Sequence, residues 1–117
     1  MDNFRKLTIW KRSVELATVV YKKTSCFPKH EVYGLRSQIR RSVVSISSNI
    51  AEGSGRNSKR DFVKFLRYSY SSASELETQL LISKNLGYLT TEESESILTD
   101  LNEIQKMIFV LQRNKSN

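Results

Sequence analysis

The sequence predicts an all-α protein, folded as an antiparallel up-down-up-down four-helix bundle, and three observations lead there. Helical periodicity runs through four segments of about twenty residues or more, and no strand-like alternation of useful length interrupts it. The single proline, Pro28, and the glycines Gly34, Gly53, Gly55 and Gly87 fall between or at the edges of those segments. The connections left over are short, which sets sequence neighbours antiparallel. At 117 residues the whole chain, 1–117, is read as one domain. An open helical array completed by other subunits is the alternative architecture.

The first helix is expected over about 8–24. Trp10, Val14, Ala17, Tyr21 and Thr24 recur at steps of four and three, with Ile9, Leu16 and Val20 widening the arc. Lys11, Arg12, Glu15, Lys22 and Lys23 fall on the other side, and Pro28 blocks continuation past the turn 25–30. The second helix is expected over about 32–52, with Leu35, Ile39, Ser42, Ile46, Asn49 and Gly53 on its stripe and Gly53 and Gly55 stopping it. Its rear face carries Val44, Ser47, Ser48 and Ala51, where a solvent face would normally carry Lys and Glu. Small residues on two faces predict close contact on both sides, so these four residues are assigned to an interface with another subunit.

Ser58 followed by Asp61 has the shape of a capping box and opens a third helix over about 59–86, with Gly87 placed for a left-handed C-cap. Its stripe is Phe62, Phe65, Leu66, Ser69, Ala73, Leu76, Leu80 and Ser83. Thr90 and Glu93 open a fourth helix over about 91–113, whose seam Ile97, Leu101, Ile104, Ile108 and Leu111 keeps strict heptad spacing.

Composition narrows the function. The net charge is +7, and residues 1–67 carry 15 Lys/Arg against 5 Asp/Glu, while residues 68–117 carry 4 against 7. Such asymmetry supports polyanion binding or head-to-tail contact between copies; a basic surface kept for solubility is the plainer reading. The longest apolar run, Met107 to Leu111, is too short to span a membrane. The opening MDNFRKLTIWKR lacks the apolar stretch of a signal peptide, and Cys26 has no partner for a disulfide. A cytoplasmic protein without membrane association is expected.

No catalytic constellation emerges. One histidine, His30, and one cysteine, Cys26, cannot furnish a zinc site, and no Glu-x-x-His pair exists for a di-iron bundle. His30 reads as a surface turn residue and Cys26 as a small apolar filler. Glu75 and Glu77 diverge on their helix, and Glu92, Glu93 and Glu95 complement a helix N-terminus. The expectation is no enzyme, no metal and no cofactor. A polar set, Ser42, Asn49, Ser69, Ser72, Gln79 and Ser83, is read as fixing register, with a ligand pocket as the lesser reading.

The chemistry-bearing feature is cationic. Arg60, Lys64 and Arg67 share one face of the third helix opposite its stripe, and Arg56 and Lys59 lie beside its N-terminus. Arg36 and Arg40 form an i,i+4 pair on the second helix, with Arg41 turned to another side. These eight residues are the candidate contacts to RNA or DNA phosphates. Tyr68 and Tyr70 are read as tyrosines packed at the core edge, with base stacking as the alternative.

The run Tyr33-Gly34-Leu35-Arg36-Ser37-Gln38-Ile39-Arg40-Arg41, then Ser45-Ile46 and Ser48-Asn49-Ile50-Ala51-Glu52-Gly53, resembles the signature of the ribosomal-RNA intervening-sequence proteins, also called four helix bundle proteins. Glu75-Leu76-Glu77-Thr78-Gln79-Leu80, Leu86-Gly87-Tyr88-Leu89, Phe27-Pro28 and Leu7…Trp10 are similar to that family in order and spacing. Ser42-Val43 and Tyr70 depart from its commoner alanines and glycine. The resemblance implies a bundle that assembles as a homopentamer and supplies no catalytic residues. It is similar too to the accessory variability determinant of diversity-generating retroelements, which implies nucleic acid and a reverse transcriptase as partners. The leading expectation is therefore a non-enzymatic oligomer that binds RNA or DNA. The alternative is a structural scaffold for a protein such as a reverse transcriptase, without nucleic-acid affinity of its own.

Overall fold

The structure, a computed structural model, describes residues 4–116; Met1 to Asn3, part of the segment read for a leader, lie outside the described residues. Four long helices carry the fold: α1 (Thr8–Thr24), α2 (Leu35–Ser54), α3 (Lys59–Asn85) and α4 (Thr91–Ser116). Short 3-10 turns at Phe4–Lys6 and Lys29–Glu31 precede the first two, and no strand occurs among the described residues. Each helix packs on its sequence neighbour and α4 closes onto α1, giving a bundle 43 Å long. Arg12 reaches Glu103 and Lys23 reaches Glu93; Ser69 reaches the Ile46 carbonyl, and the room at Gly53 is closed by Phe62 and Phe65.

The local signals act as their chemistry requires. Ser58 Oγ accepts from the Asp61 N–H at 3.1 Å, and Thr90 and Glu93 complete a reciprocal capping box at 3.0 Å each way. Gly87 takes φ +79°, and the N–H groups of Tyr88 and Gly87 bond back to the carbonyls of Ser83 and Lys84, a Schellman ending. The second helix starts three residues later than its periodicity suggests, because its cap comes from outside. Glu31 Oε1 accepts from the Leu35 N–H at 3.0 Å, so the chain between them forms a turn.

Two stripes are centred differently from their sequence reading. In α1 the buried line is Ile9, Ser13, Leu16, Val20 and Thr24, leaving Val14 and Tyr21 exposed. In α2 it is Ile39, Val43, Ile46, Ile50 and Gly53, while Leu35 and Asn49 lie at its edge. Gly53 does not stop α2; it is buried within the last turn. The other two stripes match, except that Phe62, Phe65 and Leu111 are half-buried and Val63 and Ser94 join the core. Cys26 is exposed, with Sγ toward the Lys23 carbonyl, so it fills no core space.

The two turns at the Lys29–Glu31 end grip each other. Buried Phe27 packs its ring 5.3 Å from that of Tyr88, whose hydroxyl donates to Glu31 Oε2 at 3.0 Å and lies 3.2 Å from His30 Nε2. The Leu35 N–H holds the Glu31 carboxyl below its ordinary value, helped by the Tyr88 hydroxyl and the charge of His30. The Thr90 N–H does the same for Glu93. A carboxyl whose folded pKa is depressed stabilises the fold above its unfolded pKa, near 4.5, and loses that contribution as pH falls through the folded value. Thermal melts should therefore show Tm falling on acidification below about pH 4.5. Glu31→Gln should lower Tm at neutral pH, and its difference from the parent should shrink in acid.

Candidate nucleic-acid interface

The eight candidate cations fall into two groups. Arg36, Arg40 and Arg41 sit in the first two turns of α2, whereas Arg56, Lys59, Arg60, Lys64 and Arg67 surround the α2–α3 turn. Between Arg41 and Arg56 the chain climbs about 22 Å of helix, so Arg56, Lys59 and Arg60 lie at the other end of α2 from Arg36, with Lys64 and Arg67 one to two turns into α3. Arg40 is engaged within the chain. Its guanidinium donates to Thr24 Oγ1 at 3.1 Å and to the Tyr21 carbonyl at 3.0 Å, and lies over the Tyr21 ring at 4.4 Å. That carbonyl belongs to the last turn of α1, where a cation complements the helix dipole. Arg36 is half-buried and Arg41 exposed, the latter in a small polar groove with Gln38, Ser42, Glu75 and Gln79.

The group at the other end is more coherent. Lys59, Arg60, Lys64 and Arg67 are all exposed, and among the described residues none is paired with a carboxylate. Arg56 is the exception: it pairs with Glu52 one turn back and lies 4.8 Å above the Phe65 ring, which Lys64 approaches at 5.7 Å. Lys59, Arg60 and Arg67 line a groove of about 490 Å³ with Val63, Ser116 and a cation that the sequence reading missed, Lys115. Lys115 also borders a second hollow of about 280 Å³ with Arg56, Asn57, Ser58 and Lys59. The signal for it was present, since the seam 97-101-104-108-111 continues to position 115, where a lysine ends the apolar register. Past the last core layer a seam lysine faces the neighbouring helix instead of bulk solvent. Lys115 is accordingly half-buried and carries no carboxylate partner among the described residues.

Tyr68 and Tyr70 are not packed away: they are 47% and 37% exposed. Tyr68 stands edge-on to Phe65, and Tyr70 faces the opposite flank of α3 beside Asn102, Gln105, Lys106, Phe109 and Val110 of α4. The polar set is divided. Ser42, Ser69 and Ser83 are buried, and Ser45, Ser72 and Asn49 join in a chain of bonds of 2.8–2.9 Å between α2 and α3. Asn49 donates its amide to the Ser45 carbonyl and hydroxyl, and Gln79 borders the small polar groove with Ser42.

On α2's rear face Val44 is 40% exposed, Ser48 is exposed and Ala51 half-buried, and α1 adds exposed Val14 and Tyr21. Ser47 differs, being 8% exposed with its hydroxyl donating to the Val44 carbonyl. Among the described residues no group of three or more His, Cys, Asp or Glu could hold a metal, and no helix is long and apolar enough to cross a membrane.

Known proteins share this fold. A solved structure of a protein of unknown function from the S23 ribosomal protein family of Bacteroides thetaiotaomicron VPI-5482 superposes with a TM-score of 0.81. It is 30% identical, and the match covers 90% of this chain and 98% of that one. No curated protein matches. The family model for the 23S rRNA-intervening sequence protein matches residues 5–110, from the first 3-10 turn to the last layers of α4, and the chain belongs to that family.

Proposed function

We propose that this chain is a non-enzymatic, cytoplasmic subunit of a homo-oligomer, a pentamer by its family resemblance, that binds RNA or DNA through phosphate contacts. In this reading it is one domain, an antiparallel up-down-up-down bundle with the cationic groove at one end. The observation that carries the proposal is the groove of Lys59, Arg60, Arg67 and Lys115, four cations drawn from two helices, with no carboxylate side chain lining it among the described residues. Like charges gathered without counter-charges destabilise a fold unless an external anion relieves them, and guanidinium groups suit phosphate oxygens in particular. Five copies in a ring would present five such grooves, so weak contacts would add as avidity.

The exposed Val44–Ser48–Ala51 face with Val14 and Tyr21 supports the self-association half of the proposal, because small side chains let a neighbouring helix approach closely. It equally favours the second reading, a scaffold whose partner is another protein such as a reverse transcriptase. Fluorescence anisotropy with labelled RNA and DNA across a salt series, paired with light scattering, separates the two. Nucleic-acid binding should weaken steeply with salt, by roughly 10³-fold between 50 and 200 mM if about six phosphates are neutralised, with little sequence preference. A stable oligomer with no affinity at the lowest salt would leave only the scaffold.

A further inference from the structure

The cationic groove does not end at Arg67. One turn further along the same flank of α3 stands Tyr70, and across from it on α4 stand Phe109, Val110 and Lys106, bordering a hollow of about 620 Å³ with Asn102 and Gln105. Tyr70 and Phe109 are 37% and 51% exposed, so both rings are open to a ligand in that hollow. The α3–α4 furrow thus has three successive zones. Lys59, Arg60, Arg67 and Lys115 line its cationic end, and the aromatic pair lies above them with two side-chain amides. Glu77 then accepts from Gln105 Nε2 at 3.1 Å and brings a carboxylate to the far end. Along α3 the distance from Lys59 to Tyr70 is about 16 Å.

From this order we infer that the α3–α4 furrow is a seat for single-stranded nucleic acid, with phosphates at the cationic end and unpaired bases stacked on Tyr70 and Phe109. The inference rests on the polyanion reading above and names its substrate class. Bases in a duplex keep their faces against one another and offer none to the Tyr70 and Phe109 rings, whereas splayed bases of a single strand can stack on them. Stacking tolerates every base, and the Asn102 amide, which lines the same hollow, offers donors and an acceptor to base edges. Glu77 repels further phosphates, which limits the strand to the cationic half of the furrow.

The test uses the full chain with fluorescein-labelled oligomers of about a dozen nucleotides, oligo-dT and oligo-U as single strands and a mixed-sequence duplex of similar length. Tyr70→Leu combined with Phe109→Leu should weaken both single strands roughly tenfold or more. It should leave the duplex affinity unchanged and the salt slope intact, because the phosphate contacts remain. Tyr70→Phe, which keeps the ring, should bind as the parent does. Unchanged single-strand affinity in the double variant overturns the inference while leaving the basic-surface reading standing. So does an equal loss on duplex, or a loss accompanied by a change of oligomeric mass in light scattering, which would assign the furrow to contacts between copies. A parent protein that binds none of the three probes overturns both readings.

Discussion

Reversing Arg60, Lys64 and Arg67 to Glu is expected to reduce RNA or DNA affinity by roughly a hundredfold or more near 0.1 M salt, leaving the bundle folded. Each neutralised phosphate releases condensed counterions, so three lost contacts lower the salt slope by about 2 for a single strand. Three new anions beside Lys59 and Lys115 add repulsion to that loss. Stability should hardly move, because all three side chains are exposed and none is paired with a carboxylate among the described residues. Circular-dichroism melting checks that point alongside the anisotropy titration. Lys115→Glu should weaken binding by a smaller factor. Arg36→Glu with Arg41→Glu, at the other end of α2, should have little effect. Arg40 is left out of that control, since its loss would strip the Tyr21 carbonyl and Thr24 hydroxyl of their partner. Binding that survives the triple reversal would remove the α3 end from consideration.

The helices were legible in the sequence because their boundaries are written in local chemistry: Ser58, Gly87, the Thr90–Glu93 pair and Pro28 act within a turn of where they stand. The stripe centres of α1 and α2 were less legible, for a reason visible in their serines and threonines. Ser13 donates to the Ile9 carbonyl at 2.6 Å, Thr24 to Val20 at 2.8 Å and Ser47 to Val44 at 3.1 Å, each about one turn back in its own helix. A hydroxyl satisfied this way can be buried at little cost. The core therefore runs along lines such as Ile9–Ser13–Leu16–Val20, where apolarity alone favours Val14 and Tyr21. The α3 basic stripe could be read from a single helix. Its continuation to Lys115 and the pairing of Tyr70 with Phe109 could not, since each needs residues about forty or more apart in sequence to meet across α3 and α4.

Gly53→Ala is expected to lower stability by roughly 1–3 kcal/mol, while Gly55→Ala two residues on should be neutral within about 0.5 kcal/mol. Both glycines look like helix stops in the sequence, yet their surroundings differ. A Cβ on Gly53 would lie 2.6 Å from Phe65 Cβ and 3.0 Å from Phe62 Cδ1, whereas one on Gly55 would meet only carbonyl oxygens at 3.6 and 3.8 Å. Phe65 Cβ is anchored to the α3 backbone and cannot swing aside, so the added methyl must push the start of α3 away from the end of α2. That displacement would lift Phe65 from under Arg56 and disturb Lys59 and Arg60 at the mouth of the cationic groove. Gly53→Ala should therefore lower both Tm, by roughly 5–10 °C, and nucleic-acid affinity, the latter even at temperatures where the bundle stays folded. Equal melting of the two alanine variants would mean that α2 and α3 do not approach closely at Gly53. A destabilised Gly53→Ala that binds as the parent does would show that the groove tolerates movement of the α3 start, and would shift the recognition surface toward Arg67, Lys115 and the aromatic zone beyond them.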